Sequence, residues 1–360
     1  MSLPISFGVE LEFCLAYLHD SSHIPESAET RHLKFSPGPT DITTPHPKRY
    51  EYQTRVHRHI ASLLHTCGFP INLKNPSATS IHVWQVTDDP TIAGPLPSHP
   101  SYHPSYHYLG VEIKTPALPF TPSSLQSIEK VCTLLTTTYV LSTSPSTGLH
   151  IHLGCPSLLT PFSSSFLQDR LIPFLYIFEP QFSSLHPAAR QPHEWGSSMR
   201  DTCTYTQAFQ RKYGYRPLPY DILPLFRKCR NVESLLRAVS DPSTIKANNV
   251  NFQGLRKGFV DVRNGVRVGG EEEGGEGHTI EFRQHAGTLD GREVGMCVRT
   301  LVGMVRFLEE ASDGSFIDMV EAMMRAERWE KEGDGRDAER EERLGPVPAD
   351  GPFTIISLLR

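Results

Sequence analysis

Four short stretches of this 360-residue chain alternate ionisable side chains with apolar ones: Gly8-Val-Glu10-Leu-Glu12-Phe13, Gly110-Val-Glu112-Ile-Lys-Thr-Pro116, Thr147-Gly-Leu-His150-Ile-His152-Leu-Gly154 and Thr279-Ile-Glu281-Phe-Arg283-Gln-His285. In an extended strand successive side chains point to opposite faces, so each stretch backs an apolar row with a row of carboxylates or imidazoles. One such strand is ordinary. Glu10-x-Glu12 alone reads as a solvated face, and Glu281-x-Arg283 alone as a surface ion pair of little energetic weight. Four of them, three with glycine beside the polar positions, make a repeated pattern that unrelated surface strands do not supply. A concave face with that many carboxylates costs several kcal/mol per desolvated charge unless cations neutralise it. Carboxylate oxygens with one imidazole suit Mg²⁺ or Mn²⁺, whereas zinc favours more nitrogen or sulfur.

The elements that must position these residues are legible from periodicity. Residues 5–15 read as a strand with Ile5, Phe7, Val9, Leu11 and Phe13 on one face. A Pro-, Ser- and Thr-rich loop follows from Ser21 to Arg49, then a helix from about Tyr50 to Thr66, stopped by Gly68 before Pro70. Ile81 to Val86 and Leu109 to Lys114 read as strands, and Thr121-Pro122 opens a helix whose apolar stripe runs through Leu125, Ile128, Cys132, Leu135 and Tyr139. Leu149–Leu153 is a further strand. Between 160 and 245 helices are predicted near 163–178, 202–212 and 231–239, with no motif that carries chemistry. Phe259–Val268 and His278–Arg283 read as a hairpin across an acidic glycine-rich tip; Asp290-Gly-Arg-Glu293 has capping-box spacing before a helix through Val294, Val298, Leu301, Val305 and Leu308. From Arg325 to Arg343 the charges alternate in sign, as on a solvated helix.

Composition removes several classes of function. With 35 basic against 40 acidic side chains and a net charge of -5, the chain has no basic stripe for nucleic acid. No apolar run reaches the roughly 18 residues that a membrane span needs, and the N-terminus has no signal-peptide pattern. Seven scattered cysteines, never spaced C-x-x-C, point to a reducing compartment, and the expected location is the cytoplasm. Cys155 follows the His-x-His strand but has apolar neighbours and no placed base, so it reads as a buried small residue rather than a nucleophile. His99, His103 and His107 recur every fourth residue in Pro-Ser-Tyr-His-Pro-Ser-Tyr; the interleaved prolines forbid a regular helix, and the segment reads as an inserted loop before it reads as a weak metal site.

Taken in order, Phe7-Gly-Val-Glu-Leu-Glu-Phe13, Trp84 with Asp88, Gly110-Val-Glu-Ile-Lys-Thr-Pro116, Ser146-Thr-Gly-Leu-His-Ile-His-Leu-Gly154, Asn251, and Thr279-Ile-Glu-Phe-Arg-Gln-His-Ala-Gly-Thr-Leu-Asp290 resemble the amidoligase family. That family belongs to the carboxylate-amine ligase superfamily, with glutamine synthetase and the glutamate-cysteine ligases. The resemblance implies an α+β fold: a curved, mostly antiparallel sheet backed by helices, as in a glutamine synthetase-like catalytic domain with loop insertions. On that reading residues 1–312 are one catalytic domain with Pro-rich insertions near 20–49 and 88–108, and 313–360 are a charged helical extension.

The resemblance also implies roles. Glu10 and Glu12 would hold different metals, Glu112 joining Glu12 at one, and His150 and Glu281 joining Glu10 at the other. His152 would face nucleotide phosphates, and Arg283 phosphate or the substrate carboxylate. Asn251 matches a family position near the nucleotide. The second motif has one glutamate only, Glu112, which leaves the third ligand of its metal to water or Asp88. The implied cofactors are ATP and Mg²⁺ or Mn²⁺, and the implied partners are small-molecule or peptide carboxylates and amines, a protein substrate included. A carboxylate is a poor acyl donor, because attack on it would expel oxide. Its attack on the γ-phosphate of ATP gives an acyl phosphate, from which an amine displaces phosphate, with Arg283 and His152 positioning charge and an acid such as Asp88 accepting the amine's proton. Two rival readings use the same residues: a metal-dependent hydrolase built on His150-x-His152, which would work without ATP, and an inactive binding or scaffold member.

Overall fold

The longest strand, β1 (Ser6–His19), is the axis of the molecule. Its odd-numbered side chains Phe7, Val9, Leu11, Phe13 and Leu15 are all buried in one continuous core, so the alternation read from the sequence is the alternation of the strand. The computed structural model describes residues 4–19, 30–31, 33–35, 47–154, 162–190, 197–241, 248–258 and 279–331.

After β1 come β2 (Leu33–Phe35), α1 (Pro47–Thr66), β3 (Gln85–Thr87), β4 (His107–Lys114), β5 (Leu118–Pro119), α2 (Pro122–Thr138), β6 (Leu141–Ser142) and β7 (Gly148–Gly154). The middle is helical: α3 (Ser164–Phe166), a π-helical turn (Leu167–Leu171), α4 (Ile172–Ile177), α5 (Glu179–Ser184), a 3-10 turn (Ala188–Arg190), α6 (Met199–Thr202), α7 (Thr204–Tyr213), α8 (Pro219–Arg227) and α9 (Val232–Val239). The chain then adds β8 (Val250–Asn251), α10 (Gln253–Gly258), β9 (Thr279–Ala286), α11 (Gly291–Glu310) and α12 (Asp313–Lys331). The sheet is open and almost wholly antiparallel, ordered β3-β4-β1-β7-β9-β8, with β2, β5 and β6 paired to β1; β2 alone among these runs parallel to it. This is a mixed α/β architecture with one large antiparallel sheet. Among the described residues no helix is long and apolar enough to cross a membrane.

Local chemistry explains the element ends. Thr121 Oγ1 accepts the Ser124 N–H at 3.2 Å, and Pro122 sits at the first helical position of α2. Asp290 Oδ1 accepts the Arg292 N–H at 2.8 Å and caps α11. The predicted capping box is only half made, because Glu293 accepts the Thr288 hydroxyl instead of the Asp290 N–H, which donates to Thr288 Oγ1 at 3.1 Å. Gly68, at φ +87°, stops the chain after α1. The strand expected at Ile81–Val86 is shorter and later, Gln85–Thr87, because Trp84 turns inward to bridge Ile71 and stack edge-on against Phe69. Among the described residues of the 21–49 segment is a strand that periodicity missed, β2, three residues being too short for a pattern. The expected hairpin arm 259–268, its acidic tip, Cys155 and the charged stretch beyond 331 lie outside the described residues.

The tandem histidine repeat forms two consecutive turns. Tyr102 N–H donates to His99 O (2.9 Å) and Tyr106 N–H to His103 O (3.1 Å), with Pro100 and Pro104 at the second turn position. Nδ1 of His99 and of His103 accepts the following serine N–H, at 3.2 and 3.1 Å. Among the described residues these histidines belong to no metal-type group.

In the helical middle, the buried Glu179 ties α5 to the start of α6: its carboxylate accepts the Ser198 hydroxyl at 2.7 Å, the Arg200 N–H at 2.9 Å and the Met199 N–H. Burial raises its pKa against the pull of these donors. Replacing it with leucine leaves three buried donors without an acceptor. Glu179→Leu should therefore destabilise the fold by about 3 kcal/mol or more, read as a lower urea midpoint at unchanged m-value; an unmoved midpoint would show that the donors find other acceptors.

Candidate active site

Register across β1 assembles the site. Glu10 lies opposite Lys114 of β4 and His150 of β7; Glu12 lies opposite Glu112; Gly8 lies opposite His152, which in turn faces Glu281 of β9, and Glu281 faces Asn251 of β8. Four motifs up to 271 positions apart in the chain thus become adjacent rows on the face opposite the apolar core. The pairing of β7 with β9 shifts by one residue at this level: Leu149 faces His285 but Ile151 faces Phe282, so Arg283 and Gln284 together oppose His150. Alternation keeps Glu281 and Arg283 over the site and turns Phe282 and Gln284 to the other side, and the bulge sends His285 to that other side as well, opposite Leu149.

The contacts are close and largely buried. His150 Nδ1 is 3.1 Å from Glu10 Oε2 and 3.5 Å from Glu281 Oε1, while its Nε2 is 3.5 Å from Glu12 Oε1. His152 Nε2 lies 3.2 Å from Glu10 Oε1, and its Nδ1 is paired with Thr279 Oγ1 at 3.1 Å. Lys114 Nζ is 2.8 Å from Glu10 Oε1 and 3.0 Å from Glu112 Oε2. Arg283 Nη1 donates to Glu281 Oε1 at 2.6 Å, Asn251 Nδ2 to Glu281 Oε2 at 2.7 Å, the Thr87 hydroxyl to Glu112 Oε2 at 2.9 Å, and Gly148 N–H to Glu12 Oε2 at 2.6 Å. Gly148 is obligatory, since a Cβ there would fall 2.8 Å from His150 Nε2, 3.0 Å from Arg190 Nη2 and 3.2 Å from Glu12 Oε2.

Burial and charge pull the carboxylates in different directions. Burial alone would raise Glu10, but His152, His150 and Lys114 hold its pKa well below the usual range; Glu281 is likewise lowered by His152, Arg283 and His150 against burial. Glu12 is raised by burial, with Asp89 and Glu10 adding to it against His150 and the Gly148 N–H. Glu112 is pushed up to about 7 by burial and by Glu10, more than Lys114 offsets. His152 is raised, because Glu10 and Glu281 outweigh its burial. Two groups of donors result: Glu10, His150 and Glu281, and Glu12, Glu112 and His150, each with ligand atoms within 4.8 Å of one another. His150 belongs to both through its two ring nitrogens.

Not every residue singled out in the sequence reaches this cluster. Asp88 is exposed, interacts electrostatically with His57 of α1 and belongs to neither donor group; the charge of the next residue, Asp89, bears on Glu12. β3 ends at Thr87, which pairs with Glu112, and both aspartates lie in the segment that leaves it. Asn251 has both ends of its amide engaged locally, Nδ2 on Glu281 and Oδ1 accepting the Gln253 N–H at 3.0 Å, and supports that carboxylate. Trp84 is buried in the core. Two cations were missed. Lys114 follows Glu112 by two residues, and the same alternation that put Glu112 on this face would have found it. Arg190, from the 3-10 turn, donates through Nη2 to Arg283 O at 2.9 Å and interacts with Glu12; it sits in a stretch without periodicity, and no sequence signal points to it.

Ligand position can be checked by cation titration. Glu10→Gln should weaken Mn²⁺ binding by at least about tenfold, by comparison with the 10–100-fold typical even of residues one shell further out, while Asp88→Asn should leave it within about twofold. Isothermal calorimetry on the two variants tests this; equal losses would contradict the assignment of faces.

Comparison with known proteins agrees with the motif order. The model of a family described as "putative amidoligase enzyme" matches residues 3–213, more than half of the chain, and includes Glu10, Glu12, Glu112, His150 and His152. Asn251, Glu281 and Arg283 lie beyond the matched stretch and join the site through β8 and β9. No curated protein matches the chain. With three of its four polar strands inside that match, the chain belongs to the amidoligase family.

Proposed function

We propose that this protein is an ATP-dependent carboxylate-amine ligase that uses Mg²⁺ or Mn²⁺ and forms an amide or peptide-like bond through an acyl phosphate. The observation that carries the reading is the convergence of two carboxylate-imidazole groups on one open sheet face, with Arg283 and Lys114 beside them. An antiparallel sheet with helices on its apolar side and the polar cluster on the other supports a glutamine synthetase-like arrangement. The donor set fits hard divalent cations: Glu10, His150 and Glu281 would hold one, and Glu12 and Glu112 another, since the neutral imidazole of His150 has a single lone pair to give. Cations held by these residues would offset phosphate charge and stabilise the charge that develops during phosphoryl transfer.

The chain's own residues supply positioning. Arg283 Nε is buried without a hydrogen bond and is available to an anionic oxygen above the floor, whereas His152 Nε2 faces Glu10 Oε1 at 3.2 Å and would turn to such an oxygen once a cation takes that carboxylate. Such preformed donors aimed at developing charge lower the barrier without reorganising during the reaction. The substrate carboxylate oxygen attacks the γ-phosphorus, the bond to ADP breaks, and an amine then attacks the acyl carbon and releases phosphate. The six described cysteines are all free thiols, in keeping with work in a reducing compartment such as the cytoplasm.

ADP and phosphate should appear only when both an acid and an amine acceptor are supplied with Mg²⁺, and Glu281→Gln should lower this turnover by at least about a hundredfold, within the range that loss of one charge-stabilising group costs. A coupled ADP assay over panels of acids and amines reads it out. Turnover of an amide or ester without ATP would instead favour metal-dependent hydrolysis.

A further inference from the structure

Lys114 occupies a position that neither cation group explains. Its ammonium lies 2.8 Å from Glu10 of the first group and 3.0 Å from Glu112 of the second, so one side chain ties together carboxylates that belong to different cations. Arg283 bonds Glu281 alone, and Arg190 sits by Glu12, so each of these guanidinium groups serves one side. Lys114 is also the most solvent-reachable member of the cluster, at 32% side-chain exposure against 14% for Glu10 and 9% for Glu112. A lysine is a compact charge on a flexible four-carbon stem, able to leave a carboxylate and reach another anion without moving the backbone.

On the ligase reading above, we propose that Lys114 is a built-in counter-cation that couples divalent-cation binding to nucleotide binding. Without divalent cations it holds Glu10 and Glu112 together. Cations entering both groups need those same oxygens, and like charges a few ångströms apart repel, so the ammonium must leave. The anion nearest to hand is then a phosphate oxygen of the nucleotide lying over the floor. Lys114 therefore weakens cation binding when the nucleotide is absent and favours it when the nucleotide is present. By reciprocity the cation favours the nucleotide to the same degree. Lys114 is a positioning residue on this account, acting through the carboxylates and the phosphate.

The test is a Mn²⁺ titration by calorimetry, with and without the non-hydrolysable β,γ-imido analogue of ATP, on the wild-type chain, Lys114→Met and Lys114→Arg. Lys114→Met should bind Mn²⁺ alone about tenfold more tightly than wild type, and the improvement of Mn²⁺ binding by the analogue should shrink about tenfold, leaving only what direct phosphate ligation supplies; Lys114→Arg should keep both wild-type values within about threefold. Unchanged or weaker Mn²⁺ binding by Lys114→Met, or an undiminished effect of the analogue, overturns the proposal while leaving the ligase reading intact. Failure of the wild-type chain to bind Mn²⁺ at all removes both. Should Lys114→Met not fold, amine-reactive labelling of Lys114 in the wild-type chain decides the matter by mass spectrometry: labelling should rise when Mg²⁺ is added, and constant or reduced labelling overturns the proposal.

Discussion

Mutual repulsion among Glu10, Glu12, Glu112 and Glu281 is the constraint on which the rest of this molecule turns. Four carboxylates largely shielded from water cannot share one face unless positive charge and N–H donors meet them, because desolvation and like charge both favour the neutral acids. The protein answers residue by residue. Lys114 meets Glu10 and Glu112, Arg283 meets Glu281, the Gly148 N–H meets Glu12, and His150 stands among three of the four. The balance is uneven, with Glu10 and Glu281 held ionised while Glu12 and Glu112 are pushed toward their neutral forms. On the proposed reading, divalent cations would offset the charge that remains and let such a floor accept a polyanion in a chain of net charge -5.

Holding such a face requires a rigid frame, and the sheet provides one. The same strands that present carboxylates on one side present Phe7, Val9, Leu11 and Phe13 on the other, each worth about 1.5–3 kcal/mol when fully buried. A one-residue slip of β1 would exchange the two rows and place glutamates in the core, so the apolar row sets the register of the polar one. Small devices then trim the geometry. The bulge in β9 turns His285 away from the site to the side of Leu149, Asn251 steadies Glu281, and Thr87 steadies Glu112.

The segments between the strands close the ends of the site. The stretch from Asp89 to Gly94 crosses the polar face of β4: a Cβ at Gly110 would fall 2.7 Å from the Ile92 Cβ and 2.9 Å from Asp89 O, and Cys14 Sγ donates to Ala93 O at 3.7 Å. The helical middle contributes Arg190, whose guanidinium bonds the backbone of β9 and neighbours Glu12. Loops that carry such groups on a rigid scaffold are where related enzymes choose their substrates.

What the sequence by itself determined is periodic and local. Two-residue alternation located β1, β4, β7 and β9 and named Glu10, Glu12, Glu112, His150, His152, Glu281 and Arg283 as one face, and helix starts at Thr121-Pro122 and Asp290 followed from the chemistry of caps. Only the tertiary structure decided which strands are neighbours, because register across β1 depends on non-local packing that no window of sequence contains. Register set Asn251 behind Glu281 and placed Lys114 beside Glu10, 104 positions away, and the packing of segments outside the sheet brought Asp89 within charge reach of Glu12 and Arg190 in from a turn without pattern. Side-chain type and spacing fix the direction in which a residue points within its own strand; long-range pairing fixes what it meets there.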